Sequence, residues 1–290
     1  MKKKILLKAP VLTRSGYGEQ SRFALRALLS RPDLFEVFIQ PLQWGQTSWI
    51  SEEEEEKLWI DNTIEKTIAF IQHGGKFDAS LQVTIPNEWE RIAPINIGFT
   101  AGMETTKVAH QWIQKGNEVD KILVVSDHSR DTYRNTSYIA THNETNQQME
   151  LSLQTPIVTT NYPVKHHEED ISLGIELDYD FNFLVMAQFG PRKNLPNTVK
   201  WFIEEFHDDE IGLVVKANIA KNCLMDRERL FSDMKGLVSQ YPERKCKVYL
   251  LHGDMTDAEV HTLFEHKQIK AFLTLTHGEG FGLPVFEAAY

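Results

Sequence analysis

Apolar residues come along this chain in short bursts, and the spacing alternates between two kinds. Ile5-Leu6-Leu7-Lys8-Ala9 reads as a first strand. After Ser15-Gly16-Tyr17-Gly18-Glu19-Gln20, the run Phe23 to Leu29 has helical spacing. Phe35 to Leu42 predicts a second strand. The acidic run from Ser51 to Lys57 suits the solvated start of a helix, with Ser51 as cap and the glutamates favoured by the helix dipole. Further strands are expected over Phe77 to Val83, Ile95 to Thr100 and Lys121 to Ser126. Asn135 to Gln154 is polar and irregular and reads as a loop, after which Pro156 to Thr160 regains strand character.

A second alternation begins at Phe181 to Ala187. Pro196 to Phe206 reads as helix, Gly212 to Lys216 as strand and Asp226 to Val238 as helix. Cys246 to Leu251 then reads as strand, Asp257 to Glu265 as helix and Ala271 to Thr276 as a buried strand. Strands alternating with helices predict parallel, doubly wound sheets. We therefore expect an α/β protein of two Rossmann-like domains, residues 1–164 and 180–290. The His- and Glu-rich stretch 165–179 would be the linker. His166-His167 invites a metal reading, but no ligand set surrounds the pair and a solvated linker is the better account.

The densest chemistry lies near the end, in His277-Gly278-Glu279-Gly280-Phe281-Gly282-Leu283-Pro284-Val285-Phe286-Glu287. A strand, a glycine loop and a helix opening with Pro284 would present free backbone N–H groups at the positive end of a helix dipole. Such an end suits phosphate. Glu287 falls about one turn into that helix, where its carboxylate can accept two hydrogen bonds from a vicinal diol such as a ribose. Glu279 sits in the loop, within reach of a sugar hydroxyl or a developing positive charge.

This segment resembles the signature of retaining family-four glycosyltransferases, which have the two-Rossmann GT-B architecture facing a cleft. Their pattern is Glu, seven residues, Glu, with Gly-Phe-Gly-Leu-Pro after the first. The resemblance implies that Glu279 contacts the donor sugar and Glu287 binds the ribose. Gly280, Phe281, Gly282 and Leu283 would lie against the donor.

Gln188-Phe189-Gly190-Pro191-Arg192-Lys193-Asn194 follows the first strand of the second half. Ligands of open α/β sheets bind beyond strand carboxyl ends. Arg192 and Lys193 are thus placed for a diphosphate, one as a planar fork and one as a point charge. A surface basic pair at a turn is the plain alternative; the resembling enzymes carry a similar basic segment here. Ser15-Gly16-Tyr17-Gly18 resembles their first glycine loop, which lies against the donor phosphate or the acceptor, so Gly16 and Gly18 join the expected site. It is not a dinucleotide fingerprint, because the pattern stops at the second glycine. Glu104, after the strand ending at Thr100, can orient or deprotonate an acceptor hydroxyl; it equally suits a cap at a helix start. Ser126 to Asp131 resembles a strand end of the same enzymes, with most of its residues capping a helix and His128 a weak site candidate. Trp44, Trp49, Trp89 and Trp112 are scattered through the first half, where packing is the more frequent use and stacking on sugars the rarer one.

Composition narrows the reading. The chain has 290 residues, a formal net charge of −10 and 41% hydrophobic residues, room for two cores and an argument against general nucleic-acid binding. Its two cysteines, Cys223 and Cys246, offer no disulfide framework and suit a reducing compartment. No apolar run is long enough to span a bilayer, and Met1-Lys2-Lys3-Lys4 precedes a strand rather than a signal peptide. A cytoplasmic protein is expected, with peripheral membrane contact left open.

The resemblance then implies transfer of a sugar from a nucleotide-diphosphate sugar to an acceptor, with retained anomeric configuration. The donor would sit on the second domain and the acceptor on the first. Neither a metal nor another cofactor is expected, since Arg192, Lys193 and the helix end would take the departing charge. Two alternatives stand beside it: a nucleotide-sugar epimerase on the same fold, and an inactive nucleotide-sugar-binding fragment. The second arises because the resembling chains continue beyond the second glutamate, which predicts an incomplete second domain here.

Overall fold

The computed structural model describes residues 2–51, 55–141, 147–166 and 171–290. The chain divides into two compact units, Met1–Pro163 and Val164–Tyr290.

In the first unit β1 (Lys3–Ala9), α1 (Gly16–Leu29), β2 (Phe35–Pro41), α2 (Glu55–Gln72), β3 (Ala79–Val83) and β4 (Ile95–Thr100) follow in turn. They are succeeded by α3 (His110–Gly116), β5 (Lys121–Val124), α4 (Asp127–Asn135), β6 (Ser137–Thr141), β7 (Gln148–Ser152) and β8 (Ile157–Thr159). Six strands form a parallel sheet in the order β2-β1-β3-β4-β5-β8. Leu6, Leu7 and Ala9 of β1 and Val37, Phe38 and Ile39 of β2 are all buried, so both faces are covered. That is why these strands read as continuous apolar runs rather than alternating ones.

The stretch expected as an irregular loop contains a hairpin instead. β6 and β7 pair antiparallel, Tyr138 against Leu151 and Ala140 against Met149. The reason lies in a few anchors that a polar composition hides. Leu151 and Leu153 pack on the buried cluster of Trp89, Ile113, Ile122 and Tyr133, and the Tyr138 hydroxyl donates to the Val108 carbonyl at 2.6 Å. The Ser51 cap expected for α2 adjoins residues 52–54, which lie outside the described residues.

The second unit runs β9 (Asn182–Gln188), α5 (Leu195–Glu205), β10 (Gly212–Asn218), α6 (Leu224–Val238), β11 (Lys247–Leu251), α7 (Asp257–Glu265), β12 (Ile269–Phe272) and α8 (Leu283–Ala289). Its four strands are parallel, in the order β11-β10-β9-β12. One face is sealed by α5 and α6 through Leu195, Val199, Phe202, Ile203, Leu230 and Met234. The other carries α7 and the segment with Leu173, Ile175 and Leu177, which packs within this unit over Leu184 and Val214. β12 is shorter than the apolar run suggests. It ends at Phe272, and residues 273–282 form a loop whose first amide, of Leu273, still donates to Leu184 in β9 at 2.8 Å.

Cys223 is exposed at the start of α6, and Cys246 is buried in the α5–α6 core. Among the described residues no helix is long and apolar enough to cross a membrane.

Candidate active site

In the second sheet the chain builds outward from β9 through β10 to β11, then crosses back to place β12 on the other side of β9. The reversal makes the β9–β12 boundary the topological switch point, where open α/β sheets hold their ligands. The loops leaving the carboxyl ends of these two strands carry Arg192 and Lys193, and Glu279.

Pro191 to Lys193 forms one 3-10 turn, closed by the Lys193 amide donating to Gly190 at 3.1 Å. Asn194 then takes a left-handed conformation (φ 55°, ψ 28°) and starts α5. Asparagine tolerates this region better than most residues. Its side chain is committed on both sides: Nδ2 donates to the Leu275 carbonyl at 2.9 Å, and Oδ1 accepts from Asn197 at 2.7 Å. The two loops are sewn together further along. The Arg192 carbonyl accepts from the His277 amide at 2.9 Å, and the Thr276 hydroxyl lies 3.0 Å from both the Arg192 and Gly278 carbonyls.

This stitching brings three charged side chains together. Arg192 Nη1 donates to the Gly278 carbonyl at 2.6 Å and stands 3.4 Å from Glu279 Oε2. Lys193 Nζ bonds Glu279 Oε1. The Lys193 side chain is only 17% exposed against 48% for Arg192, so lysine is the inner cation and arginine the outer one. Glu279 thus sits between two cations that together suit a diphosphate.

The glycines divide the turn's work unequally. Of Gly278, Gly280 and Gly282, only Gly282 has a positive φ, 81°. It precedes α8, so Leu283 opens that helix and Pro284 takes its second position rather than the expected first. A Cβ at Gly282 would stand 3.7 Å from the Glu279 Cβ; this residue is the seat on which Glu279 rests. Phe281 turns its ring onto Phe286 edge-to-face at 5.2 Å, which fixes the loop to α8. Glu287 lies half-buried on α8.

The neighbouring strand ends are also fixed. Asp226 accepts from the Ile219, Ala220 and Lys221 amides at 2.6–2.9 Å and from His252 Nε2 at 2.8 Å. Burial pushes its carboxyl pKa up, and these four donors outweigh that and hold it below the usual value. Lys216, on β10, donates to the Gly253 carbonyl. The pattern reading missed Asn194, Thr276, Asp226 and His252 as builders of this edge. The one local signal was an Asn placed directly before the Leu-Pro that opens α5.

Gly16, Gly18 and Glu104 belong to the first unit. Ser15 caps α1 by accepting from the Gly18 amide. A Cβ on Gly18 would come within 2.0 Å of the Thr13 carbonyl oxygen, whereas one on Gly16 would meet nothing within 4 Å. Gly18 is therefore required by packing, and Gly16 leaves its surface open. Between them Tyr17 shares a hydrogen bond with the Thr100 hydroxyl at 2.7 Å. Burial pushes its phenol up to about 12, with Glu104 and Glu88 adding smaller upward pushes. Glu104 lies in an exposed bend, six residues before α3 begins at His110, so it caps no helix. Ser126 does cap α4, and His128 Nε2 lies 3.2 Å from the Thr105 carbonyl. His166 packs against the rings of His261 and Tyr290, while His167 is outside the described residues. Among the described residues no three metal-ligating side chains gather.

No family model matches the sequence, and no curated protein matches it. Solved structures do. OtsA in its apo form aligns with a TM-score of 0.59 and 10% identity, over 99% of this chain and 81% of its own. HepE from Anabaena, solved in complex with UDP-glucose, aligns at 0.55 and 11% identity, over 99% and 78%. The lipopolysaccharide outer core galactosyltransferase WaaB, in apo form, gives 0.54, 10%, 99% and 78%. At these identities the likeness is one of fold: the chain has the GT-B fold of glycosyltransferases, with two Rossmann-like doubly wound domains.

Proposed function

We propose that the chain is a retaining glycosyltransferase that takes its sugar from a nucleotide-diphosphate sugar bound on the second unit. The convergence of Arg192, Lys193 and Glu279 at the β9–β12 switch point carries this reading. UDP-glucose in HepE, whose fold is similar, supports a nucleoside diphosphate as the handle.

Lys193 and Arg192 hold the diphosphate and offset the charge that grows on it as the glycosidic bond breaks. Glu279 turns from these cations to the hydroxyls of the donor sugar, and Glu287 accepts from the ribose diol. Gly280, Phe281, Gly282 and Leu283 shape the loop around the donor. Glu104 orients or deprotonates the acceptor hydroxyl. The incoming hydroxyl attacks the face the diphosphate leaves, and the configuration is retained. No step in this scheme calls for a metal.

Glu279 bonds the same two cations that a diphosphate would use, so carboxylate and donor compete for them. Glu279→Ala should therefore lose turnover by about 10²–10³-fold while binding free UDP or GDP at least as tightly as the parent. A screen of UDP-, GDP- and ADP-sugars for hydrolysis or transfer, with calorimetry of the free nucleotides, reads both. Equal turnover by the variant and the parent would remove Glu279 from the site. NMR of the product of an α-linked donor checks retention, and an α-linked product is expected. Conversion of a donor to its epimer without any acceptor would replace transfer by epimerisation.

A further inference from the structure

Of the five tryptophans of the first unit, Trp89, Trp112, Trp44 and Trp49 have separate fates. Trp89 is fully buried, its ring lying over Gly98 so closely that a Cβ there would be 2.5 Å away. Trp112 stacks on the buried Tyr133 at 6.5 Å. These two are core. Trp44 and Trp49 are not: both stand beside the loop that leaves the carboxyl end of β1.

That loop lies at the switch point of the first sheet, where β1 has β2 on one side and β3 on the other. Trp49 pairs with Thr13 in an isolated antiparallel bridge. The residues flanking it are fixed, since Arg14 donates to the Ser48 carbonyl at 2.9 Å and Ile50 donates to the Leu12 carbonyl at 2.8 Å. Its backbone is therefore held, yet the residue is 47% exposed. Trp44 leans on the ring of Tyr17 with centroids 4.2 Å apart, and Tyr17 is itself tied to Thr100. Gly16 next to it leaves open space, and Glu104 lies exposed in the bend that follows Thr100 at the end of β4.

A large apolar ring on a fixed backbone, exposed at a ligand-binding strand end, costs little entropy to engage. Trp44 belongs to the same segment between β2 and α2, and a carboxylate can accept from a diol. Flat apolar contact with acceptors for hydroxyls is what the two sides of a pyranose require. Two arginines border the same loop: Arg22 spends Nη1 on the Val11 and Thr13 carbonyls at 2.9 and 3.0 Å and Nη2 on Glu19 Oε2 at 2.6 Å, and Arg14 is half-buried, so the exposed surface offered beside them is the ring of Trp49.

We propose that the first unit carries a carbohydrate-binding ledge, built on Trp49 and Trp44, that holds a pyranose ring of the acceptor. The word acceptor rests on glycosyl transfer being the reaction; the ledge itself does not. The full chain, fluorescently labelled and free of donor, is applied to an array of immobilised mammalian and bacterial glycans. Parent and Trp49→Phe should bind a common set of glycans, and Trp49→Ala should lose about tenfold or more of that affinity. Trp201→Ala is the control, because Trp201 is equally exposed at 47% but lies on α5 of the second unit; it should bind as the parent does. Equal thermal unfolding of the two alanine variants separates loss of the ledge from loss of fold. Absence of any bound glycan, undiminished binding by Trp49→Ala, or an equal loss in Trp201→Ala would each overturn the ledge. Donor-side failure is read separately, since nucleotide binding uses Lys193 and glycan binding does not.

Discussion

The carboxyl edges of the two sheets differ in what they offer a ligand. In the second unit, two cations close on one carboxylate across the gap between the loops after β9 and β12. In the first, the groups beside the corresponding loop include two indole rings, a phenol bonded to a threonine hydroxyl and an exposed glycine, and the arginine there, Arg22, is spent on the loop's own carbonyls. The strand–helix rhythm is the same in both, so fold alone does not assign the chemistry. On the function proposed above the cationic edge would hold a charged phosphate chain, and on the proposed ledge the aromatic edge would hold a hydroxylated ring.

The sharpest way to break this contrast is to remove the cations. Arg192→Ala/Lys193→Ala should lose nucleotide affinity and transfer together, by about 10³-fold or more in kcat/KM, since each charge-assisted contact is worth about 1.5–3 kcal/mol. Lys193→Ala alone should account for the larger share, being the more sheltered cation. Glycan binding by the first unit should be unchanged. Single-turnover kinetics with the donor found in the screen decide it: a double variant that transfers as the parent does would mean that the cationic edge does not hold the diphosphate.

A smaller effect separates scaffold from surface within the first edge. Gly18→Ala puts a methyl group against the Thr13 carbonyl oxygen, a backbone atom with nowhere to go. It should cost about 1–3 kcal/mol, read as a lower midpoint in urea. Gly16→Ala meets open space and should stay within about 1 kcal/mol of the parent. Equal effects at the two positions would mean that the Pro10–Ser15 loop yields more readily than its bonds to Arg22 indicate, where Nη1 holds the Val11 and Thr13 carbonyls at 2.9 and 3.0 Å.

How far such details were legible depends on the range of the interaction. Apolar runs announced most strands because parallel strands are buried on both faces, and local glycine and proline marked the turn at Gly282-Leu283-Pro284. Glu279, Arg192 and Lys193 could each be placed at a strand end. Their meeting could not be read directly, because Arg192 and Glu279 are 87 residues apart and approach only through the pairing of β12 with β9. The hairpin of β6 and β7 was hidden because a few inward side chains hold it against a polar background. Gly16 and Gly18 look alike in sequence and part company only when the Thr13 carbonyl is seen beside one of them. The tryptophans behave likewise, since a residue type says nothing about whether a ring is buried, as in Trp89, or exposed, as in Trp49.

The finest probe of the contrast uses one tyrosine from each unit. The phenols of Tyr17 and Tyr249 are both pushed up to about 12, in each case first by burial. Tyr17 is tied to a neutral hydroxyl, whereas Tyr249 donates to the Asp178 carboxylate at 2.8 Å, which raises its pKa further. An unfolded tyrosine titrates near 10. Between about pH 10 and pH 12 the unfolded chain therefore releases these protons while the folded chain keeps them. The stabilisation is complete below pH 10 and is lost as pH rises through 12. Tyr17→Phe should cost about 1 kcal/mol at neutral pH from its lost hydrogen bond, and should flatten the alkaline fall of the unfolding midpoint. Tyr249→Phe should do the same, and the two effects should add because the residues share no partner. Urea midpoints at closely spaced pH values from 8 to 12 test this, and a Tyr17→Phe profile parallel to the parent's would show that the first edge does not hold its phenol shielded from water.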